Sequence, residues 1–208
     1  HMPIIHVSGL CIFFRALYYD FKMILADFNA NSYFNYIKDN KITLVSMVPT
    51  MLQKAINNSS VLNKSNNLKA LIISGSEISP ENFDIITKYQ IPAYIAYGTS
   101  ETTSGIAGFW YHHNKPKYYV SHEHTDINLN KSKIVVTGDT VMKGYLNDKN
   151  LDGTFISNDI GEMQNDLSFK IKKRQGTISN YGGEIIPKEY VKNHIEQYTA
   201  IDQCTLKV

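Results

Sequence analysis

The segment from Tyr97 to Gly105 concentrates residues that could bind phosphate groups. Five hydroxyl side chains surround a single carboxylate, Glu101, in the sequence YGTSETTSG. Hydroxyls and backbone amides donate hydrogen bonds to phosphate oxygens, and glycines such as Gly98 permit close approach of a ligand to the backbone. A carboxylate beside phosphates is a natural Mg²⁺ ligand because hard cations prefer oxygen donors. Tyr97 could stack on a base, while a polar loop with incidental hydroxyls is the alternative interpretation.

Three further residues are candidates for binding or catalysis. Asp159 could accept hydrogen bonds from both hydroxyls of a ribose, or it is an aspartate of a surface turn. The guanidinium of Arg174 could hold a ribose or a phosphate, or it belongs to a solvated basic face. His6 stands in an apolar stretch and is either a buried core residue or part of an acyl pocket. The remaining histidines do not form a strong metal-binding pattern.

The elements that must position these residues follow from the apolar pattern. Strands are predicted over 23–26, 42–48, 68–73 and 91–97, with helices from Asn31 or Ser32, over 50–56, and from Ser79–Pro80 to about Tyr89. Strand 42–48 is expected to be buried on both faces. This alternation predicts a parallel α/β sheet. Ligands bind beyond the carboxyl ends of such strands, where the loops 74–77 and 98–105 lie.

The pattern changes after about residue 130. Short β segments are predicted over 131–138, 153–155, 161–163 and 167–173, and a last helix is predicted from Pro187. The predicted fold class is therefore α/β, with a parallel βαβ sheet subdomain over 1–130 and a small antiparallel β subdomain over 131–173. A hinge and a truncated C-terminal α+β piece are predicted over 174–208.

Composition narrows the classes of function. The chain has 208 residues, and its 21 basic and 19 acidic side chains give a net charge of +2. Such a balance gives no electrostatic reason to expect binding to nucleic acid or to an anionic membrane. Arg15 interrupts the apolar stretch 4–17, which we interpret as neither a signal peptide nor a membrane span. Cys11 and Cys204 are predicted to be free thiols in a reducing cytoplasm.

The order of several short motifs resembles that of the AMP-binding, adenylate-forming superfamily, particularly its bacterial acyl-CoA and acyl-carrier-protein synthetases and o-succinylbenzoate–CoA ligases. The resemblance covers almost the whole chain. The similar segments are 3–9 (family pattern PxxHxxG), 48–52 (VPTxL), 74–78 (GGAxL), 97–102 (YGxTE), 137–146 (GxxVxxGYL), 158–161 (TGDxG) and 182–187 (GGExxP). The segment 97–102 is the most telling.

The resemblance implies a role for each candidate residue. The expected nucleotide contacts are Tyr97 with Gly75 and Ser76 at the adenine, Ser100 at the α-phosphate, and Asp159 with Arg174 at the ribose. Glu101 would bind Mg²⁺, and His6, Val48 and Gly98 would border the acyl group. The implied reaction joins a carboxylate to AMP from ATP and then transfers the acyl group to a thiol, usually that of CoA.

The sequence also departs from the family. It contains neither the Ser/Thr/Gly-rich phosphate loop that ends in lysine nor the catalytic lysine of the mobile C-terminal domain. Ser157 and Asn158 replace the usual threonine and glycine before Asp159, and Thr177 lies in a diverged hinge. Three hypotheses follow: an acyl-CoA ligase-like enzyme, a truncated homologue that holds AMP without completing adenylation, or a subunit completed by a partner chain. Half of the usual large domain is absent, so we expect uncovered apolar surface and a homo-oligomer, a partner chain or a rearranged terminus covering it.

Overall fold

The computed structural model describes residues 1–57, 67–148, 150–174, 177–181, 184–187 and 194–195. Its helices are α1 (Val7–Tyr19), α2 (Tyr33–Asp39), α3 (Pro49–Asn57) and α4 (Pro80–Lys88), with a short 3-10 turn over Ser100–Thr102. The strands of the main sheet are β1 (Leu44–Met47), β2 (Ala70–Ile73), β3 (Ala93–Tyr97), β4 (Ala107–Trp110), β5 (Tyr119–Ser121), β6 (Thr125–Asn130), β7 (Lys133–Gly138), β8 (Thr154–Asn165) and β9 (Ser168–Arg174). A separate hairpin pairs β10 (Thr177–Tyr181) with β11 (Glu184–Pro187).

The main sheet joins a parallel part to an antiparallel part in the strand order β1-β2-β3-β4-β5-β9-β8-β7-β6. Strands β1 to β3 are parallel neighbours, whereas every other pair in this sheet is antiparallel. The α/β class with a parallel βαβ part followed by an antiparallel part is confirmed. The boundaries of the subdomains stay a prediction. The first of them is predicted between residues 130 and 131, and β6 and β7 pair along their whole length on either side of it.

One face of the parallel strands forms the first hydrophobic core. Alternate residues of β1 to β3, including Met47, Leu71 and Ile95, are buried there. Helices α2 to α4 contribute Ile37, Leu52 and other apolar side chains to the same cluster. Fully burying each such side chain stabilises the fold by about 1.5–3 kcal/mol. A second cluster, centred on Ile134 and Phe169, lies in the antiparallel part.

The opposite face of the parallel strands is open. Leu44 is 50% exposed, and Ser46, Ile72 and Tyr94 line a cleft of about 940 Å³ between this face and the residues near the N-terminus. The expectation that strand 42–48 is buried on both faces is therefore wrong. A fully buried parallel strand needs a packed layer on each side of the sheet. In the described residues, helices α2 to α4 pack on one side, whereas the other side borders the cleft, which residues of α1 also line.

Local elements also differ from the predictions. The segment 23–26 is not a strand, because in the described part of the chain no neighbour supplies the backbone hydrogen bonds that a strand needs. The segments 153–155 and 161–163 join into the single strand β8, whose pairing with β9 shifts register between Ile160 and Gly161. Helix α1 occupies the apolar stretch near the N-terminus, for which no helix was predicted.

The C-terminal region is described only in part. Pro187, the expected start of the last helix, ends strand β11. Residues 194–195 are helical, and the rest of that predicted helix lies outside the described residues, as does Cys204. Where the structure describes the chain, no helix combines the length and apolar character needed to cross a membrane.

Candidate functional site

Two loops leave the carboxyl ends of adjacent parallel strands. The register pairs Ile73, the last residue of β2, with Ile95 of β3. The loop that begins at Ser74 and the loop that begins at Gly98 therefore leave the same edge of the sheet, as predicted. This edge is where side chains from separate parts of a parallel sheet converge on a ligand.

A buried carboxylate from the antiparallel strands completes this edge. The Tyr97 hydroxyl donates a hydrogen bond to Asp159 Oδ2 over 2.8 Å. Arg174, which is paired with Asp159 in the β8–β9 register, has its Nε 3.7 Å from Asp159 Oδ1. The Asp159 amide donates to Ser157 Oγ at 3.0 Å. Because Asp159 is only 5% exposed, these contacts supply the partners that a buried charge requires.

The environment of Tyr97 keeps its phenol protonated. Burial, followed by the negative charge of Asp159, raises the pKa of Tyr97 far above its ordinary value. Its ring packs edge-on against Tyr119 and Phe169, with centroid distances of 5.9 and 5.6 Å. The whole residue is 8% exposed, and its expected role of stacking on adenine stays a prediction.

The loop after β3 is held in a tight turn. The Thr99 amide donates to Thr102 Oγ1 at 2.9 Å, and the Ser104 amide donates to the Thr99 carbonyl at 3.1 Å. Gly98 is required by this closure, because a Cβ there would overlap the carbonyl oxygen of Ser104. Ser100, which begins the 3-10 turn, is exposed at the surface of the loop.

Hydroxyl groups surround the carboxylate of Glu101. Tyr145 donates to Glu101 Oε1 at 2.6 Å, and the Thr99 hydroxyl lies nearby. Burial raises the pKa of the Glu101 carboxyl, but the Tyr145 hydrogen bond, a backbone hydrogen bond, the Thr99 hydroxyl and the charge of Arg174 outweigh it, so the net shift is downward. The carboxylate is therefore ionised at neutral pH.

The electrostatic influence of Arg174 links the two carboxylates. Its charge lowers the pKa of Glu101 and opposes the rise in the pKa of Tyr97. The structure thus brings Glu101, Tyr97, Asp159 and Arg174 into one charged neighbourhood at the edge of the sheet. The pairings Tyr97–Asp159 and Asp159–Arg174 are direct contacts.

The loop after β2 borders the same neighbourhood. Burial, followed by the charges of Glu77 and Asp159, raises the pKa of Tyr119 to about 12, so Tyr119 lies within electrostatic reach of both this loop and the buried aspartate. Gly75 has a φ of +89°, a conformation that favours glycine. Ser76 follows it as a half-buried residue, and the adenine contacts expected of both stay predictions.

His6 lies at the start of α1. Its Nδ1 accepts a hydrogen bond from the Ser8 amide at 3.3 Å and caps the helix, and the same nitrogen is 2.8 Å from Ser8 Oγ. His6 is exposed, so the interpretation as a buried core residue is wrong. Its expected place beside an acyl group stays a prediction, and none of its described contacts joins it to Asp159 or Glu101.

Comparison with known proteins identifies the family. Residues 1–146 match the family model described as "AMP-binding enzyme". The chain belongs to the AMP-binding enzyme family. It is 27% identical over 215 aligned residues to 2-succinylbenzoate–CoA ligase of Staphylococcus aureus, with 96% of this chain and 43% of that protein covered. The chain thus spans less than half the length of the curated relatives it matches.

Solved structures share the fold. O-succinylbenzoate CoA synthetase of Bacillus subtilis bound to a product analogue superposes with a TM-score of 0.82 at 20% identity, covering 95% of this chain and 45% of that one. The same Bacillus enzyme has been solved with AMP and with ATP and magnesium ion, and both structures superpose with a TM-score of 0.74 at 21% identity. The AMP complex aligns with 95% of this chain and 45% of its own, and the ATP complex with 93% and 45%.

The donors around Glu101 fit the Mg²⁺ expected for an AMP-binding enzyme. In the described residues, no cluster of three or more His, Cys, Asp or Glu side chains could hold a metal alone. Mg²⁺ usually binds through one or two carboxylates, substrate phosphates and waters. The single ionised carboxylate of Glu101, beside a loop of hydroxyls, matches that requirement.

Sequence reasoning missed two contributors to this site. Tyr145 donates to Glu101, and Ser157 accepts from the Asp159 amide. The one signal in the sequence that could have pointed to Tyr145 was the similarity of its segment to the family pattern that ends in GYL. Ser157 was noted only as a departure from the family pattern, although its hydroxyl orients the backbone of the buried aspartate.

Proposed function

We propose that this chain forms the nucleotide-binding part of an adenylate-forming acyl-CoA ligase and holds AMP or ATP with Mg²⁺. The observation that carries the proposal is the buried Asp159 carboxylate, bonded to Tyr97 and paired with Arg174. A carboxylate has about four lone-pair sites, so Asp159 retains acceptors for ribose hydroxyls. Tyr97, Gly75 and Ser76 would contact the adenine from the loops on either side.

The phosphates would lie along the loop that follows Gly98. Ser100 would donate to the α-phosphate, and Glu101 would hold Mg²⁺. Held by Glu101, Mg²⁺ would neutralise charge on the phosphate oxygens. In adenylation, a carboxylate oxygen attacks the α-phosphorus, the bond to pyrophosphate breaks, and an acyl-AMP forms. A thiol then attacks the acyl carbon and releases AMP, with CoA as the proposed thiol donor.

The cleft on the open face supports a site for the acyl group. Ser74, Ser104 and Gly105 from the two loops line this cleft, as does Ala96 of β3. A carboxylate substrate bound there would lie against the phosphate loop. His6, Val48 and Gly98 are not among the residues that line this cleft, and we propose their place beside the acyl group from the family resemblance alone.

We expect these 208 residues alone to bind nucleotide but to catalyse adenylation slowly or not at all. Removing one donor that stabilises a charged transition state costs about 100- to 1000-fold in rate, and the present sequence has neither the phosphate loop nor the C-terminal lysine of the family. An active ligase would therefore need the phosphate loop from outside these 208 residues, and a partner chain is one proposed source. A non-catalytic nucleotide-binding or interaction protein is the second candidate.

The surface of α1 supports a proposal about partners. Phe14, Leu17, Tyr18 and Tyr19 are each more than half exposed. Exposed apolar clusters of this kind mark contact surfaces. We propose that a second copy of the chain or a partner chain covers α1.

A cytoplasmic location is proposed from the free thiol of Cys11, because thiols stay reduced in the cytoplasm.

Isothermal titration of the 208-residue chain with AMP, and with ATP in the presence and absence of Mg²⁺, tests the nucleotide site. We expect AMP to bind and Asp159→Ala to weaken binding by about 10- to 100-fold, since hydrogen bonds to a charged group contribute about 1.5–3 kcal/mol. Asp126→Ala, which removes an exposed carboxylate from β6, is the matched control. Absence of AMP binding, or equal effects of the two variants, would contradict the site. Carboxylate-dependent ATP–pyrophosphate exchange at a rate normal for the family would contradict the low activity.

A further inference from the structure

Three hydrogen bonds attach the segment 140–145 to the loop that carries Glu101. The Thr103 hydroxyl donates to the Thr140 carbonyl at 2.7 Å, and the Met142 amide donates to the Glu101 carbonyl at 2.8 Å. The third is the bond from the Tyr145 hydroxyl to Glu101 Oε1. The first two fix the backbone of one segment against the other, and only the third reaches the carboxylate itself.

We propose that Tyr145 is a positioning residue for the Glu101 carboxylate. Its phenol occupies one acceptor position on Oε1 and holds the side chain in a single orientation, while the remaining lone pairs stay available to a cation. The inference rests on the proposed function, because it gives Glu101 the role of Mg²⁺ ligand. A carboxylate held in advance binds a cation without first losing rotamer freedom.

The geometry attributes this role to the hydroxyl rather than to packing of the ring. Tyr145 is 53% exposed, so its ring contributes little to either hydrophobic core. Its donor–acceptor distance of 2.6 Å lies in the range of strong hydrogen bonds to an ionised acceptor. The turn around Tyr145 is itself fixed, since the Asp148 amide donates to the Tyr145 carbonyl and the Leu151 amide donates to the Lys143 carbonyl.

Calorimetric titration of the 208-residue chain with ATP, with and without Mg²⁺, tests this role through Tyr145→Phe. We expect the variant to bind ATP about three- to tenfold more weakly when Mg²⁺ is present, the range that one hydrogen bond supports. AMP affinity, and ATP affinity in a chelator, should stay unchanged. In the Glu101→Ala background, Tyr145→Phe should have no further effect. Equal weakening under all conditions, or no weakening, would overturn the inference.

A matched control and a second measurement separate this inference from the proposed function. Tyr18→Phe removes a phenol hydroxyl from the exposed surface of α1 and should leave every affinity unchanged. Without nucleotide, Tyr145→Phe should lower the unfolding temperature by about 2–4 °C but have no effect in the Glu101→Ala background. If the wild-type chain bound neither ATP nor AMP, the proposed function would fail. The unfolding temperatures would then decide whether Tyr145 holds Glu101, and absence of coupling would overturn the inference.

Discussion

At the scale of single residues, the site depends on how a buried charge is satisfied. A carboxylate removed from water is costly unless hydrogen bonds and an opposite charge replace its hydration. Asp159 receives a hydrogen bond from Tyr97 and the charge of Arg174, and its backbone is held by Ser157. The same contacts hold the side chain in one place, and the proposed recognition of a ribose would use its remaining acceptors.

Tyr97→Phe tests this arrangement through its pH dependence. At neutral pH we expect a loss of about 1–3 kcal/mol in the free energy of unfolding, because a buried carboxylate loses its donor. The pKa of Tyr97 is raised in the folded state, so its stabilising effect is complete below the ordinary phenol pKa of about 10 and declines at higher pH. The variant should therefore lose stability less steeply above pH 10 than the wild type does.

Chemical denaturation between pH 7 and 11 provides the measurement. Tyr33 and Tyr119 also have raised pKa values, and that of Tyr119 lies at about 12, so some decline will remain in the variant. Tyr18→Phe, which changes an exposed phenol, should retain the wild-type slope. Identical slopes for wild type and Tyr97→Phe would show that the phenol is not buried as described.

At the scale of elements, the first residue of helix α4 is specified by a capping serine and a proline in the sequence. The Ser79 hydroxyl accepts a hydrogen bond from the Asn82 amide at 3.3 Å, and Pro80 occupies the first turn. Helix α2 begins after Ser32, which makes no side-chain capping hydrogen bond. Both serines precede the first residue of a helix, but only Ser79 caps its helix with a side-chain hydrogen bond.

Substituting these serines separates the two cases. Ser79→Ala should lower the free energy of unfolding by about 1 kcal/mol through loss of the cap, whereas Ser32→Ala should change it by less than about 0.5 kcal/mol. Urea denaturation of both variants gives the comparison, and Ser79→Asp should recover most of the loss. Equal destabilisation by the two alanine variants would contradict the capping geometry.

At the scale of the whole molecule, the parallel sheet has a helical layer on one face and a cleft on the other. Helix α1 adds exposed apolar side chains near that open side. This surface predicts that the 208-residue chain self-associates as its concentration rises, because burying apolar area between copies removes it from water. Light scattering over a range of concentrations measures the effect.

The double substitution Phe14→Glu with Leu17→Glu should suppress this association by putting charges on the exposed surface of α1. Leu146→Glu is the control, since Leu146 is 92% exposed in a turn that is not part of α1. Circular dichroism should show that all variants retain their secondary structure. A wild-type chain that stays monomeric at every concentration would refute the prediction.

The sequence alone determined the order of the motifs, and with it the family and the two loops at the sheet edge. It also determined local features such as the cap at Ser79, because a cap depends on hydrogen bonds between near neighbours. The sequence predicted that Gly98 lets a ligand approach the backbone, and the structure adds that Gly98 makes room for the carbonyl oxygen of Ser104. Segment 23–26 was mispredicted as a strand, since an apolar run becomes a strand only where a neighbour pairs with it.

Only the tertiary structure decided which distant side chains meet. Tyr97 and Asp159 are 62 positions apart, and Tyr145 and Glu101 are 44 apart. Their contacts depend on the register of β8 with β9 and on how the turn at 144–148 lies against the loop after β3. Hydrophobic periodicity specifies which face of a strand is buried but not which strand becomes its neighbour. The hydrogen bond from the Tyr145 hydroxyl to Glu101 could be recognised only once those neighbours were known. The same is true of the open face of the parallel strands.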